Sequence, residues 1–546
     1  MKIHPLAGKA APGFLLANIP KLITAYYANT PNSLDPLQKV SFGTSGHRGS
    51  PLQNRFNEQH ILAITQAICL YREQQKITGP LFLGIDTHAL SEPAKASALE
   101  VLAANNVTVL LDSKGDYTPT PVISHAILHY NKGRKEHLAD GIVITPSHNP
   151  PAEGGFKYNP PNGGPADQEI TRFIETQANS FLQNQLKGVK RCSLEKALSA
   201  ATTQKFDFAS QYIDDLINVV DLELIRHSQI RLAVDPMGGA GVHYWQQIAE
   251  RYGLHLHILN KTVDPTFRFM TVDWDGQIRM DPSSSYAMQS LISVKDQFDL
   301  CFAADTDHDR HGIVTPSCGL LAANHYLSAA IYYLIEHRPL WSKNSGIGKT
   351  LVSTQLIDRI ASNFRRPLYE VPVGFKWFVE GLLSKELFFG GEESAGASFS
   401  RLDGSVWTTD KDGITAALLA AEMTVKKGKD PGLLYQEITQ KLGFPYSGRI
   451  EAVANLQQKA QLQKISASTL SIKELAGEAV QSILTKAPGN QAPIGGVKIT
   501  TENGWFAARP SGTEEIYKIY AESFKSQQHL EQIQQQAQSI VDAAIA

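Results

Sequence analysis

The sequence predicts an α/β protein assembled from several blocks, and three observations predict it. Short β-rich runs alternate with longer amphipathic helical patterns over most of the chain, the runs read as nearly continuous apolar strands, and glycine-rich or acidic loops follow several of those strands directly. The 546 residues, at roughly 150 residues per domain, correspond to three or four domains. Apolar residues make up 42% of the chain and charged residues 19%, which supports buried cores and excludes a disordered chain. Lys and Arg number 51 against 53 Asp and Glu, a formal charge of −2, so neither a nucleic acid nor another polyanion is expected as a partner held by charge.

The elements follow in order. After a polar lead-in, strands are expected at Lys39 to Phe42, Leu81 to Asp86, Val107 to Asp112 and Gly141 to Thr145, with helices from Glu58 to Glu73 and from Glu92 to Asn105 between them. The rhythm returns with Ile230 to Asp235, a glycine turn at Met237 to Gly241, and a strand from Phe298 to Ala304. A third set comprises Lys349 to Ser353, Leu368 to Val371 and Leu387 to Gly390. The last block differs: Pro493 to Ala508 reads as antiparallel strands around Glu502-Asn503-Gly504, followed by a strand from Tyr517 to Glu522 and a helix with Leu530, Ile533, Ala537, Ile540 and Ala544 on one face. Linkers are expected near Ser199 to Lys205, Thr315 to Leu320 and Lys441 to Gln457.

Cys69, Cys192, Cys301 and Cys318 form no CxxC pair, which argues against a disulfide framework and a thiolate zinc site and for a reducing, cytoplasmic location. Pro12 and Pro20 interrupt the N-terminal apolar stretch, and no signal peptide is read there. No run reaches about 18 uninterrupted apolar residues, and the richest, Ile414 to Met423, has the length of a core helix. A soluble protein with no membrane partner is expected.

Six loops carry chemistry. Thr145-Pro-Ser147-His148-Asn149-Pro150 places a serine just after a buried strand, at the sheet edge where open α/β folds keep their sites, although a Ser/Asn turn there can also cap a helix. Asp305-Thr-Asp307-His-Asp309-Arg310 sets carboxylates at i, i+2 and i+4, a pattern that can converge on one hard cation; Arg310 and Pro316 stand where an EF-hand needs glycine and glutamate. Arg509-Pro-Ser511-Gly512-Thr513 combines a guanidinium, two hydroxyls and a glycine that suit a phosphate monoester, and it also reads as a helix start through Ser511 and Glu514. Gly390-Gly-Glu392-Glu393-Ser394-Ala-Gly396 offers a carboxylate and a hydroxyl to vicinal sugar hydroxyls. Thr44-Ser45-Gly46-His47-Arg48 and Gly154-Gly-Phe-Lys157 each supply a cation on a glycine-rich turn, unless these are ordinary surface basic residues.

Together and in this order these segments resemble the α-D-phosphohexomutase superfamily, over nearly the whole chain from Lys39 to the C-terminal helix, and in length and loop sequence its long bacterial members that act on glucose phosphates. The resemblance implies a four-domain phosphohexomutase architecture, three α/β domains with mixed sheets and a C-terminal α+β phosphate-binding domain around a central cleft. The boundaries are then an N-terminal extension at 1–38, a phosphoserine domain at 39–204, a metal-binding domain at 205–322, a sugar-binding domain at 323–442 and the phosphate-binding domain at 443–546. It further implies that Ser147 is a phosphoserine, that Asp305, Asp307 and Asp309 hold one Mg²⁺ with an oxygen of that serine, and that Arg48, Lys157 and Arg310 surround the phosphoryl group. His148 or Lys157 would move protons. Glu392 and Ser394 would hold sugar hydroxyls, Gly374 and Lys376 would lie in a sugar-selecting loop in which Val373 is assigned no contact, and Lys411 would face the cleft. Thr44 and Ser45 would also touch substrate, and Arg509, Ser511, Gly512 and Thr513 would take the phosphate that is not reacting.

The implied activity interconverts glucose 1-phosphate and glucose 6-phosphate through glucose 1,6-bisphosphate, with small hexose phosphates as partners and a monomer or homodimer as the assembly. The physical logic is that a phosphate monoester reaches the far end of a sugar only if the enzyme lends one phosphoryl group and recovers the other, which requires a reactive and a passive phosphate station. Nothing in the serine and acidic loops separates glucose from mannose or glucosamine phosphates. A metal-dependent phosphatase would use similar parts with an open water path, and a catalytically silent scaffold would have no use for Ser147, the aspartates and Arg509 together.

Overall fold

The computed structural model describes residues 3–43, 46–466, 470, 472–510 and 516–545, which fall into two compact units. One comprises Lys2–Leu321 with Ser394–Asp430, the other Ala322–Glu393 with Pro431–Ala546.

The first unit carries two mixed sheets. Its larger sheet runs in the order His47–Gly49, Gly154–Asn159, Asp140–Ile144, Leu81–Ile85, Val109–Asp112, Thr203–Phe206. The first two junctions are antiparallel and the rest parallel, with Leu83 opposite Ile142 and Ile85 opposite Ile144. The central strands are buried throughout, as expected where helices cover both faces of a parallel sheet. Helices Glu58–Gln74 and Ser91–Ala104 pack against each other beside it. The lead-in forms a helix, Ile19–Ala28, whose buried Tyr26 donates to Ser97 Oγ at 3.0 Å. The second sheet has the order Gly319–Leu321, His311–Thr315, Leu300–Ala304, Leu232–Asp235, Leu256–Ile258, antiparallel at its first two junctions and parallel at the others. The apolar run expected as a core helix is Gly413–Lys427, packed on Leu300–Ala304 and His311–Thr315.

The second unit contains a parallel arrangement of Leu368–Val371, Gly346–Thr350 and Leu387–Glu392, flanked by helices Ala323–His337, Leu356–Phe364 and Pro431–Leu442. It also contains an antiparallel sheet in the order Tyr446–Val453, Ile516–Ser523, Gly504–Pro510, Pro493–Thr500, Ser482–Lys486. Helix Gln527–Ile545 covers this sheet with Leu530, Ile533, Ala537, Val541 and Ile545.

Several expectations are corrected. Lys39 to Phe42 is not a strand: Asn179 Oδ1 accepts from Val40 N–H at 2.9 Å, Asn179 Nδ2 donates to Val40 O at 3.0 Å, and Glu175 accepts from Phe42 N–H at 2.6 Å, so helical side chains satisfy this backbone. The linker expected at Ser199 to Lys205 contains most of the strand Thr203–Phe206, which pairs with Val109–Asp112, and a boundary at 204 cuts that strand. Thr315 to Leu320 is the turn and return strand of a hairpin. Lys441 to Gln457 contains Tyr446–Val453, which pairs along its length with Ile516–Ser523. On the last helix Val541 and Ile545, rather than Ile540 and Ala544, complete the buried stripe. The third block of sequence, 323–442, is divided between the units at Glu393 and Asp430. Among the described residues no helix is long and apolar enough to cross a membrane.

Candidate active site

Strand Asp140–Ile144 delivers Thr145, Pro146 and Ser147 to the end of its sheet. Ser147 is buried at 1% exposure and adopts φ 60, a left-handed conformation that costs a non-glycine residue on the order of 1–3 kcal/mol. Its N–H donates to Thr145 Oγ1 at 2.8 Å, and its Oγ donates to Asp305 Oδ2 at 2.6 Å with His148 Nδ1 at 3.3 Å. Gly155 opposite makes this possible, because a Cβ there would stand 2.0 Å from Thr145 O.

The acidic loop leaves strand Leu300–Ala304 and turns back through His308 N–H donating to Asp305 O at 2.9 Å. Asp305 Oδ1 accepts from Arg310 N–H at 2.9 Å. Asp307 Oδ2 accepts from Lys157 Nζ and from Thr120 Oγ1, each at 2.5 Å. Asp309 Oδ2 accepts from Lys157 at 2.9 Å and pairs with Lys411 at 3.2 Å, and Arg310 Nε lies 3.9 Å from Asp309 Oδ1. Burial, and then the charges of Asp307 and Asp309, push the Asp305 carboxyl well above the usual carboxylate range. Burial works on Asp309 in the same sense, but Lys157, Lys411 and Arg310 outweigh it and hold that carboxyl low. Lys157 keeps its charge against burial because Asp307 and Asp309 face it. Burial and the neighbouring Arg310 pull the His148 imidazole down to about 3.

These residues fit a hard cation. The three aspartates each offer an oxygen, all within 4.8 Å of one another, and Asp307 Oδ1 and Asp309 Oδ1 are buried without a hydrogen-bond partner among the described residues. Two unsatisfied buried carboxylate oxygens are costly unless a cation takes them.

The expected site residues fall into groups. Ser147, His148, Asp305, Asp307, Asp309, Lys157, Arg310 and Lys411 come together in the first unit. Arg48, on His47–Gly49 opposite Gly155, joins them by donating to Asn149 Oδ1 at 3.3 Å. In the second unit Glu392 is buried and accepts from Gly374 N–H at 2.9 Å, where Gly374 has φ 128. Lys376 lies over the Trp377 ring at 5.5 Å, and Arg509 stands near the end of Gly504–Pro510, opposite Lys518. Ser394, half-buried, opens the segment that returns to the first unit. Thr44, Ser45, Ser511, Gly512 and Thr513 lie outside the described residues. Sequence reasoning missed Thr120, which holds Asp307 by side chain and, through its N–H donating to Asp307 O at 2.9 Å, by backbone. It also missed Asp86, which accepts from Thr145 Oγ1 at 2.7 Å. The position of Asp86 directly after a buried strand was the available signal.

Residues 39–185, 210–319 and 322–442 match the alpha/beta/alpha domains I, II and III of phosphoglucomutase/phosphomannomutase, and residues 452–539 match its C-terminal domain. The chain belongs to this phosphoglucomutase/phosphomannomutase family of mutases. It is 57% identical over 544 residues to the phosphoglucomutase of Komagataeibacter xylinus, covering 100% of this chain and 98% of that one. Phosphoglucomutase 1 of Drosophila melanogaster is 27% identical across 72% of this chain and 71% of its own length. Among solved structures, the open form of the Paramecium phosphoglucomutase parafusin has the same fold, with a TM-score of 0.73 at 20% identity over 94% of this chain and 96% of that one.

Proposed function

We propose that the chain is a phosphoglucomutase in which Ser147 carries the phosphoryl group between glucose 1-phosphate and glucose 6-phosphate. The observation that supports this most directly is Ser147 Oγ standing 2.6 Å from Asp305 beside the other two aspartates, in a chain 57% identical along its length to a phosphoglucomutase. In the first transfer the Oγ–P bond of phosphoserine breaks as a sugar oxygen bonds to phosphorus and gives up its proton, which yields glucose 1,6-bisphosphate. The intermediate then presents its other end, Ser147 Oγ bonds to that phosphorus, and the released sugar oxygen takes a proton. His148 and Lys157 are the groups placed to carry that proton, one neutral beside Oγ and the other held charged by its aspartates. Arg48, Lys157 and Arg310 stabilise charge on the transferring group. Asp305, Asp307 and Asp309, with an oxygen of the phosphoserine, would hold one Mg²⁺, which when bound offsets phosphoryl charge as a Lewis acid.

Glu392, fixed by Gly374 N–H, takes sugar hydroxyls with Ser394, and Lys376 and Lys411 supply positive charge to the substrate. Arg509 with Ser511, Gly512 and Thr513 takes the idle phosphate, and Thr44 and Ser45 complete the substrate contacts. The phosphoserine domain extends to Phe206, the end of its last strand, and the enzyme works in the cytoplasm. Intact mass tests the reading: a phosphate adduct on Ser147 should form with glucose 1,6-bisphosphate and be lost on incubation with glucose 6-phosphate. In parallel assays glucose 1-phosphate should turn over faster than mannose or glucosamine 1-phosphate. Faster turnover of another sugar, or stoichiometric release of inorganic phosphate, would overturn the assignment.

A further inference from the structure

Behind the serine loop lies a buried polar cluster that the mechanism leaves unused. Asp86, which follows strand Leu81–Ile85, is 0% exposed. Its Oδ1 accepts from His88 N–H at 3.0 Å and Ser91 Oγ at 2.6 Å, and its Oδ2 accepts from His88 Nδ1 at 2.8 Å and Thr145 Oγ1 at 2.7 Å. The hydroxyl of Thr306 lies 3.0 Å from the same Oδ2 and 2.7 Å from Ser147 O, so one proton serves both acceptors. Burial would raise the Asp86 carboxyl, but His88 and the surrounding hydroxyls hold it below its ordinary value, and Asp86 in turn raises the His88 imidazole against its own burial. His88 Nε2 then donates to Asn149 O at 3.0 Å, and Asn149 is the residue that Arg48 contacts.

The two threonines grip opposite ends of one residue. Thr145 accepts the Ser147 N–H, and Thr306 donates to the Ser147 carbonyl. Ser147 is the residue held at φ 60, and Thr306 sits between Asp305 and Asp307 in the acidic loop. Rotation of either Ser147 peptide unit toward a relaxed conformation would break one of these bonds and swing Oγ away from Asp305.

We propose that Asp86, acting through Thr145 and Thr306, is a positioning residue that locks Ser147 in its left-handed conformation and keeps the serine loop and the acidic loop in one register while the phosphoryl group arrives and leaves. The inference rests on the reading of Ser147 as the phosphoryl carrier. It predicts that misplacing Oγ slows transfer without weakening the hold on the sugar phosphate.

The test compares Thr145→Val, Thr145→Ser, Thr306→Val and Ser147→Ala in the full-length enzyme with Mg²⁺. Thr145→Val and Thr306→Val should each lower kcat roughly 10- to 100-fold, the scale of a lost hydrogen bond that leaves a buried partner unsatisfied. KM for glucose 1-phosphate should stay within about twofold, because the hydroxyls of both threonines are taken up by Asp86 and the Ser147 backbone. Thr145→Ser, which keeps the hydroxyl, should recover most of the lost kcat. Normal kcat in both valine variants, a serine variant as slow as the valine one, or a loss that appears in KM or follows the melting temperature would overturn the proposal. An active Ser147→Ala would instead sink the reading of the site itself, and an inactive Ser147→Ala beside normal threonine variants would sink this inference alone.

Discussion

Two clusters of buried charge, one in each unit, solve the same electrostatic problem in opposite ways. In the second unit Lys349 pairs with Asp358 and, at 3.2 Å, with Glu370, and it donates to Thr354 O at 3.3 Å. Lys498 pairs with Glu370 at 2.8 Å and lies over the Trp505 ring at 4.7 Å. Two cations face two carboxylates. Against the cost of burial, these neighbours hold Glu370 low and Lys349 high, while burial still outweighs Glu370 at Lys498 and pulls that ammonium down. In the first unit the aspartates also have cationic neighbours, yet Asp305 is driven up and two carboxylate oxygens have no hydrogen bond among the described residues. Burying an ion costs several kcal/mol unless partners offset it. The paired cluster offsets most of that cost internally and serves architecture, joining the Gly346–Thr350 strand to the C-terminal sheet. The acidic loop leaves part of it outstanding, and that residue of unfavourable energy is what a cation and a phosphoryl group can draw on.

The contrast can be broken experimentally. Ser147→Ala removes from the acidic cluster the oxygen proposed to carry the phosphoryl group and should lower kcat by at least about 10⁴-fold, with the melting temperature unchanged. Glu370→Gln leaves Lys349 and Lys498 facing each other over a neutral amide and should cost about 3–5 kcal/mol of stability, read by urea unfolding. Its half-saturating Mg²⁺ concentration should match that of the wild type; a shift would mean that the two clusters are not separate. Asp307→Asn should behave in the opposite way, lowering kcat roughly 100-fold and raising the Mg²⁺ requirement because one ligand charge is lost. The smallest effect lies in pH. Because the folded Glu370 carboxyl is held below its ordinary value, its stabilisation is complete above the unfolded value of about 4.3 and is lost as pH falls through the folded one. The stability difference between wild type and Glu370→Gln should therefore stay constant from pH 7 to about pH 5 and narrow below about pH 4.

What was legible in the sequence follows the same division. The acidic loop, the serine loop and the Glu392 loop are contiguous, so their chemistry shows in a few consecutive letters. Lys349, Asp358, Glu370 and Lys498 come from four separate segments, and only the fold brings them together. Thr120 and Thr306 act by holding other residues, and nothing in their own spacing announces it; Asp86 offered only its place directly after a buried strand. Fully buried strands such as Leu81–Ile85 and Asp140–Ile144 read correctly because both faces are apolar. Edge strands did not: Thr203–Phe206 and Tyr446–Val453 are half-exposed and polar on their open sides, which made them look like linkers. Lys39 to Phe42 erred in the other direction, since its buried Val40 and Phe42 imitate strand alternation while helical side chains take its hydrogen bonds.

The return of Ser394–Asp430 to the first unit has a consequence for how the chain is made. Synthesis proceeds from the N-terminus, and early segments generally fold as they emerge. Helix Gly413–Lys427 covers the strands Leu300–Ala304 and His311–Thr315, Gly413 N–H donates to His308 O at 2.9 Å, and Lys411 supplies a counter-charge to Asp309. A nascent chain stopped before residue 394 therefore exposes an apolar sheet face and an acidic loop short of one cation. Ribosome-bound fragments ending there should be sensitive to protease along Leu300–Ala304, and those extended past Asp430 should be protected. The first unit begins first and is finished only after Ala322–Glu393 of the second has been translated.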